Sequence, residues 1–103
     1  MSVQKLIDTV QEAARTSQSL NIYVVGSMGK DYRSSFLTLY RGELVQFALH
    51  DRGGRAALAY LPKYEVKEVM TAPVQGTPSR DADAPSVKEL LEALSKSSWV
   101  HVH

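Results

Sequence analysis

Apolar residues recur at helical spacing over the first fifteen positions. Val3, Leu6, Ile7, Val10, Ala13 and Ala14 share one face, with Gln4, Lys5, Asp8, Gln11, Glu12 and Arg15 on the others. This pattern predicts an amphipathic helix capped by Ser2. Asn21-Ile-Tyr-Val-Val25 is β-branched and aromatic, which predicts a short strand ended by Gly26-Ser-Met-Gly29. Residues 36–40 and 44–49 then alternate around Arg41-Gly42 and predict a hairpin. Leu37 and Leu39, with Val45, Phe47 and Leu49, form its expected buried face. Phe36, Thr38, Tyr40, Gln46, Ala48 and His50 look the opposite way.

After Gly53-Gly54, residues 56–61 are rich in helix formers and are expected to stop at Pro62. A strand-like pattern resumes from Tyr64 to Met70. Residues 72–85, APVQGTPSRDADAP, carry three prolines and one glycine, with Val74 as the one large apolar residue. They predict a loop, of a length that is often functional or mobile. Ser86-Val-Lys-Glu89 has the form of a capping box, and Val87, Leu90, Leu91 and Leu94 supply the apolar face of a last helix. The order is helix, three strands, short helix, strand, helix. It predicts an α+β fold, a small two-layer domain over residues 1–96 with an antiparallel sheet of about four strands and helices on one face, followed by a tail over 97–103.

Composition narrows the function classes. A chain of 103 residues is one domain by length, and 44% hydrophobic with 22% charged residues is the balance of a folded protein. Twelve basic against eleven acidic residues give a formal charge of +1, unlike a protein that neutralises many phosphates, so nucleic acid is not an expected partner. The chain has no cysteine, which excludes disulfides, thiolate nucleophiles and cysteine-ligated zinc and leans towards a reducing compartment. The first residues form no continuous apolar leader, and no apolar run approaches the ~20 residues of a membrane span. The expectation is a soluble, cytoplasmic protein without membrane insertion.

The central segment carries a resemblance. Phe36-Leu-Thr-Leu-Tyr40, a turn into Gly42-Glu-Leu-Val45, the small residue Ala48 and the string Gly54-Arg-Ala-Ala-Leu58 together resemble the PATAN (patatin-associated) domain of bacterial signalling proteins. The first and last helices stand where that family has them, so the likeness extends over residues 3–96. The chain departs from the family at Pro62-Lys63-Tyr64, where an aromatic and glycine-bearing stretch is usual. The resemblance implies a non-enzymatic protein-interaction module, of a kind joined to response-regulator receivers in two-component signalling and type IV pilus motility. Its implied partner is another protein, such as a response regulator or motility component, or a second copy in a homodimer.

Candidate chemistry centres on Arg52-Gly53-Gly54-Arg55. A helix N-terminus offers unpaired N–H groups, so Gly53 and Gly54 flanked by Arg52 and Arg55 suit a phosphate or carboxylate, as in a small-ligand or nucleotide sensor. The same residues suit a plain joint, with Asp51 as the cap and Gly54 permitting close approach of the helix to the sheet. RGG-type RNA elements are repeats in disordered tracts, and this one is single. Val25-Gly-Ser-Met-Gly29 is no nucleophile elbow, which needs glycine two places before the serine, and Gly26-Ser-Met-Gly-Lys30 is no phosphate loop. His101 and His103 have a metal-compatible spacing but lack a third ligand, and Asp81-Ala-Asp83 lacks the ligand ladder of a calcium loop. No catalytic residue, metal or cofactor is therefore expected. The hairpin's outer face, with Phe36, Tyr40 and Tyr23, joins Arg52 and Arg55 as the expected partner surface, unless a second layer of the monomer covers it.

Overall fold

The computed structural model describes residues 2–96, so His101, His103 and the expected tail lie outside the described residues. The chain runs α1 (Ser2–Arg15), β1 (Leu20–Met28), β2 (Asp31–Tyr40), β3 (Glu43–Leu49), β4 (Arg52–Gly53), α2 (Arg55–Leu58), a 3₁₀ turn (Leu61–Lys63), β5 (Glu65–Pro73) and α3 (Val87–Ser95). One antiparallel sheet has the order β4-β3-β2-β1-β5, so the α+β expectation stands with five strands rather than four. Ser2 is the first residue of α1, not a cap ahead of it. Pro62 sits inside the 3₁₀ turn, where its missing N–H costs nothing, while α2 has already ended at Leu58.

The periodicities fix which faces meet. Val3, Leu6, Ile7, Val10 and Ala13 of α1 and Leu90 and Leu94 of α3 share one core cluster with Ile22, Val24, Leu37, Leu39, Phe47, Leu49, Val66 and Val69 from the sheet. The helices therefore cover one face, and Tyr23 and Met70 remain exposed on the other. α3 begins with the reciprocal capping box read from Ser86 and Glu89. The β2–β3 hairpin turns at Arg41 and Gly42, both with positive φ (53° and 84°), the geometry a tight type I′ hairpin requires. Its tip is tied to the α1–β1 connection, where Gly42 N–H donates to the Gln18 carbonyl at 2.9 Å and Arg41 N–H to Ser19 Oγ at 2.9 Å.

Two bulges reset the alternation. Thr38 pairs with Gln46 but Leu39 pairs with Leu44, so Val45 is the extra residue. Leu44 takes the core position expected for Val45, which is buried apart from that cluster. In β5 the register shifts opposite Val25 and Gly26, leaving Lys67 as the extra residue.

β1 does not end at Gly26. It continues to Met28, and the chain turns at Gly29 and Lys30. Gly26 is needed within the strand because Tyr64 crosses it: an added Cβ would stand 2.5 Å from both Tyr64 Cζ and the Glu65 carbonyl oxygen. Tyr64 lies just before β5 rather than in it, is 1% exposed, and donates its phenol to the Arg33 carbonyl at 2.6 Å.

Burial pushes the Tyr64 phenol from its ordinary 10.0 up to about 12. Below pH 10 folded and unfolded chains both hold this proton, so its stabilising effect is complete. Between pH 10 and 12 the unfolded chain releases the proton first, and stability falls by up to about 1.4 kcal/mol per pH unit. Tyr64→Phe is expected to cost roughly 1–2 kcal/mol at neutral pH, because the Arg33 carbonyl loses its donor. Urea titrations across pH 9 to 12 should then show the wild type converging on the variant. Parallel curves would mean that Tyr64 does not titrate with unfolding.

Candidate functional site

Two surfaces hold the residues singled out in the sequence. The first is the corner after β3. The β3–β4 turn places Arg52 opposite Leu49 and Gly53 opposite Ala48. Gly54 follows with φ 64° and ψ −145°, and its N–H donates to the Phe47 carbonyl at 2.9 Å. Gly54 itself is the N-cap of α2, without a side-chain cap, so Asp51 does not fill the capping role expected of it. α2 is only four residues long, and its start is met by the chain's own acid. Arg55 N–H donates to the Asp83 carbonyl at 3.1 Å, and the Asp83 carboxylate lies so close that a Cβ on Gly54 would collide with it.

The two arginines point to different partners. Arg52 stacks its guanidinium over the Tyr60 ring, 5.2 Å from the centroid. It lines a cleft of about 340 Å³ with Asp31, Arg33, His50 and Asp51. Arg55 is ion-paired with Glu89 and lines a separate depression of about 400 Å³ with Glu43, Arg80 and Pro85. Desolvation raises the Glu89 carboxyl, but hydrogen bonds from Ser86 and Arg55 outweigh it and hold this group below its usual value. Close in sequence, Arg52 and Arg55 do not converge on one point.

The second surface is the sheet face away from the helices. Register places Ala48 beside Phe36, Phe36 beside Tyr23 and Tyr23 beside Met70, and Gly53 follows Ala48 on β4. These residues form one row across the whole sheet. Tyr23 and Phe36 touch with ring centroids 5.2 Å apart. Tyr23 is 42% and Met70 46% exposed, and Tyr32, nearer the β1–β2 turn, is 75% exposed. Tyr40 is half-buried at the other end of β2, with Arg41 over its ring at 5.3 Å. Tyr23 and Phe36 thus meet as the sequence suggested, while Met70 was hidden by the Lys67 bulge, which changes the parity of β5.

The proline-rich segment is anchored to this face. Gln46 Nε2 donates to the Ser79 carbonyl at 2.9 Å, Asp81 N–H donates to the Val45 carbonyl at 2.8 Å, and Arg80 pairs with Glu43. The segment walls one side of a depression of about 410 Å³ lined by Phe36, Gln46, Ala48, Gly53, Ser79 and Asp81. Thr38, the cross-strand partner of Gln46, is buried and donates to Asn21 Oδ1 at 2.8 Å.

Other motifs hold structural positions. Ser27 is buried within β1, opposite Tyr32 and Glu65. His50 stands in the β3–β4 turn with φ 54° and donates its N–H to the Ser34 carbonyl at 2.7 Å. Among the described residues no group of three or more His, Asp or Glu is placed to hold a metal ion, and no helix is long and apolar enough to cross a membrane. No family model, curated protein or solved structure matches the chain.

Proposed function

We propose that this protein is a non-enzymatic protein–protein interaction module whose contact surface is the outer face of the sheet. The observation that carries this reading is the row of Phe36, Tyr23 and Met70 on a strand framework, two of its members close to half exposed. Aromatic residues and methionine are enriched in interface cores, and a rigid sheet presents them at little conformational cost. The likeness of residues 36–58 to PATAN domains supports a place in bacterial signalling or motility regulation in the cytoplasm. A response regulator or motility component is the partner that likeness favours.

The test is affinity capture from an extract of the source organism, comparing wild type with Tyr23→Glu and with Arg52→Ala/Arg55→Ala. A partner held by wild type and by the arginine variant, and lost with Tyr23→Glu, is the expected result. Loss with the arginine variant alone would move the contact to the glycine corner. A gain in melting temperature in millimolar inorganic phosphate, abolished in the arginine variant, would instead support an anion sensor at Gly53 and Gly54. With Asp83 and Glu89 already at that corner, no such gain is expected.

A further inference from the structure

The β1–β2 and β3–β4 turns lie at the same end of the sheet, and residues of both frame the cleft of about 340 Å³ that Arg52 lines. Register places this cleft on the helix side. Arg52 pairs with Leu49, a member of the core cluster, and Arg33 pairs with Gly26, which Tyr64 crosses. Met28 and Asp31, paired two residues further along their strands, share that face. The cleft is therefore separate from the outer face proposed above as the contact surface, and either role can fail without the other. Leu49, Met28 and the half-buried ring of Tyr60 give it apolar lining. Two guanidiniums, Arg33 and Arg52, and two carboxylates, Asp31 and Asp51, line it as well.

These charges do not satisfy one another. Elsewhere Arg15, Arg55 and Arg80 pair closely with Glu12, Glu89 and Glu43. In the cleft Arg33 reaches Asp31 at 3.4 Å, well beyond the ~2.7–2.9 Å of a strong charge-assisted bond. Among the described residues the Arg52 guanidinium and the Asp51 carboxylate, neighbours in the chain, form no ion pair and no side-chain hydrogen bond. Both are nevertheless held. Arg52 lies over the Tyr60 ring, and the turn that carries Asp51 is pinned by the His50 N–H, which donates to the Ser34 carbonyl at 2.7 Å. His50 keeps a left-handed backbone there, φ 54°, a conformation that side-chain-bearing residues retain disproportionately at ligand sites.

The lining selects the ligand. A simple anion would meet two carboxylates, and a simple cation two guanidiniums. A zwitterion meets neither obstacle, because its carboxylate can take the planar fork of Arg52 while its ammonium faces Asp51. The volume lies near the lower end of the roughly 300–1,000 Å³ of ligand pockets, which suits one amino acid better than a nucleotide. We infer that this cleft binds a free α-amino acid with an apolar side chain, its carboxylate on Arg52, its ammonium on Asp51 and its side chain on Met28, Leu49 and Tyr60.

The test is a titration of the whole chain with L-leucine, L-methionine and L-phenylalanine, each to about 10 mM, followed by melting temperature and by amide NMR shifts. At least one should raise the melting temperature saturably and move the amides of Arg33, Asp51 and Arg52. Its analogues lacking the amine or the carboxylate should each bind at least about tenfold more weakly, since each leaves one charge of the cleft unmet. Asp51→Asn and Arg52→Gln should each abolish the response with circular dichroism unchanged, whereas Arg55→Ala, at the neighbouring depression, should keep it. No response to any of the three amino acids overturns the inference, as does equal binding of either analogue or a shift map that avoids the cleft. Stabilisation by inorganic phosphate without any by the amino acids would make it a simple anion site and overturn it too. Should a variant fail to fold, the analogue series and the shift map of the wild type still decide.

Discussion

Gly26→Ala should be among the most damaging single substitutions in the protein, with an expected loss on the order of 3 kcal/mol through overpacking. The new methyl would stand 2.5 Å from the Glu65 carbonyl oxygen and 2.5 Å from Tyr64 Cζ. Neither neighbour can yield cheaply. The carbonyl belongs to the start of β5, which pairs with β1 at this point. The tyrosine is enclosed by the core and held by its hydrogen bond to Arg33. For a domain of this size each kcal/mol shifts the melting temperature by roughly 4–8 °C, so calorimetry should find a fall of more than 10 °C. Tyr64→Leu in the same background should restore part of the loss by removing the ring but not the carbonyl, giving a coupling energy that a double-mutant cycle can read. A loss below about 1 kcal/mol would mean that the strands separate easily here and that the crossing does not set the register.

That crossing also shows why some of the fold was legible in the sequence and some was not. α1, the β2–β3 hairpin and the capping box of α3 are specified by neighbours a few positions apart, and their periodicity or turn chemistry carries the information. The continuation of β1 through Gly26 and Ser27 is specified by Tyr64, thirty-eight positions after Gly26, so glycine there reads as an end when it is a clearance. The polar stretch from Asp31 to Ser35 is strand because β1 pairs with all of it, not because it alternates. Bulges at Val45 and Lys67 each add one residue and swap the faces beyond them, which local parity cannot anticipate. The candidate site inherits this division. Tyr23 and Phe36 could be placed on the outer face from their own strands, whereas the position of Met70 beside them depends on the second bulge. Arg52 and Arg55 looked like one site because they are close in sequence, but β4 ends and α2 begins between them, and each turns to a different partner.

Gly54→Ala is the second substitution with a large expected effect, and it bears on how the outer face is shaped. The glycine holds φ 64° and ψ −145°, a backbone conformation that costs a residue with a side chain about 1–3 kcal/mol. Alanine's methyl would also lie 2.7 Å from the Asp83 carbonyl, the group that accepts from Arg55 N–H. Together these predict a loss of roughly 3–4 kcal/mol in chemical denaturation. Asp83→Ala added to the variant should restore only a little, because it removes the carboxylate and leaves the carbonyl and the strained backbone. The mechanism predicts a local signature as well. Displacing Asp83 pulls on Asp81, whose N–H is bonded to Val45 across the wall of the depression over Ala48. Amide exchange at Asp81 and Arg55 should therefore accelerate beyond the global loss of stability, while Val24 and Leu37 in the central strands follow the global change alone. If Asp81 instead keeps its protection relative to the rest of the chain, the bonds from Gln46 to Ser79 and from Asp81 to Val45 hold the segment by themselves. Gly54 would then be a joint between sheet and helix with no hold on the outer face of the sheet.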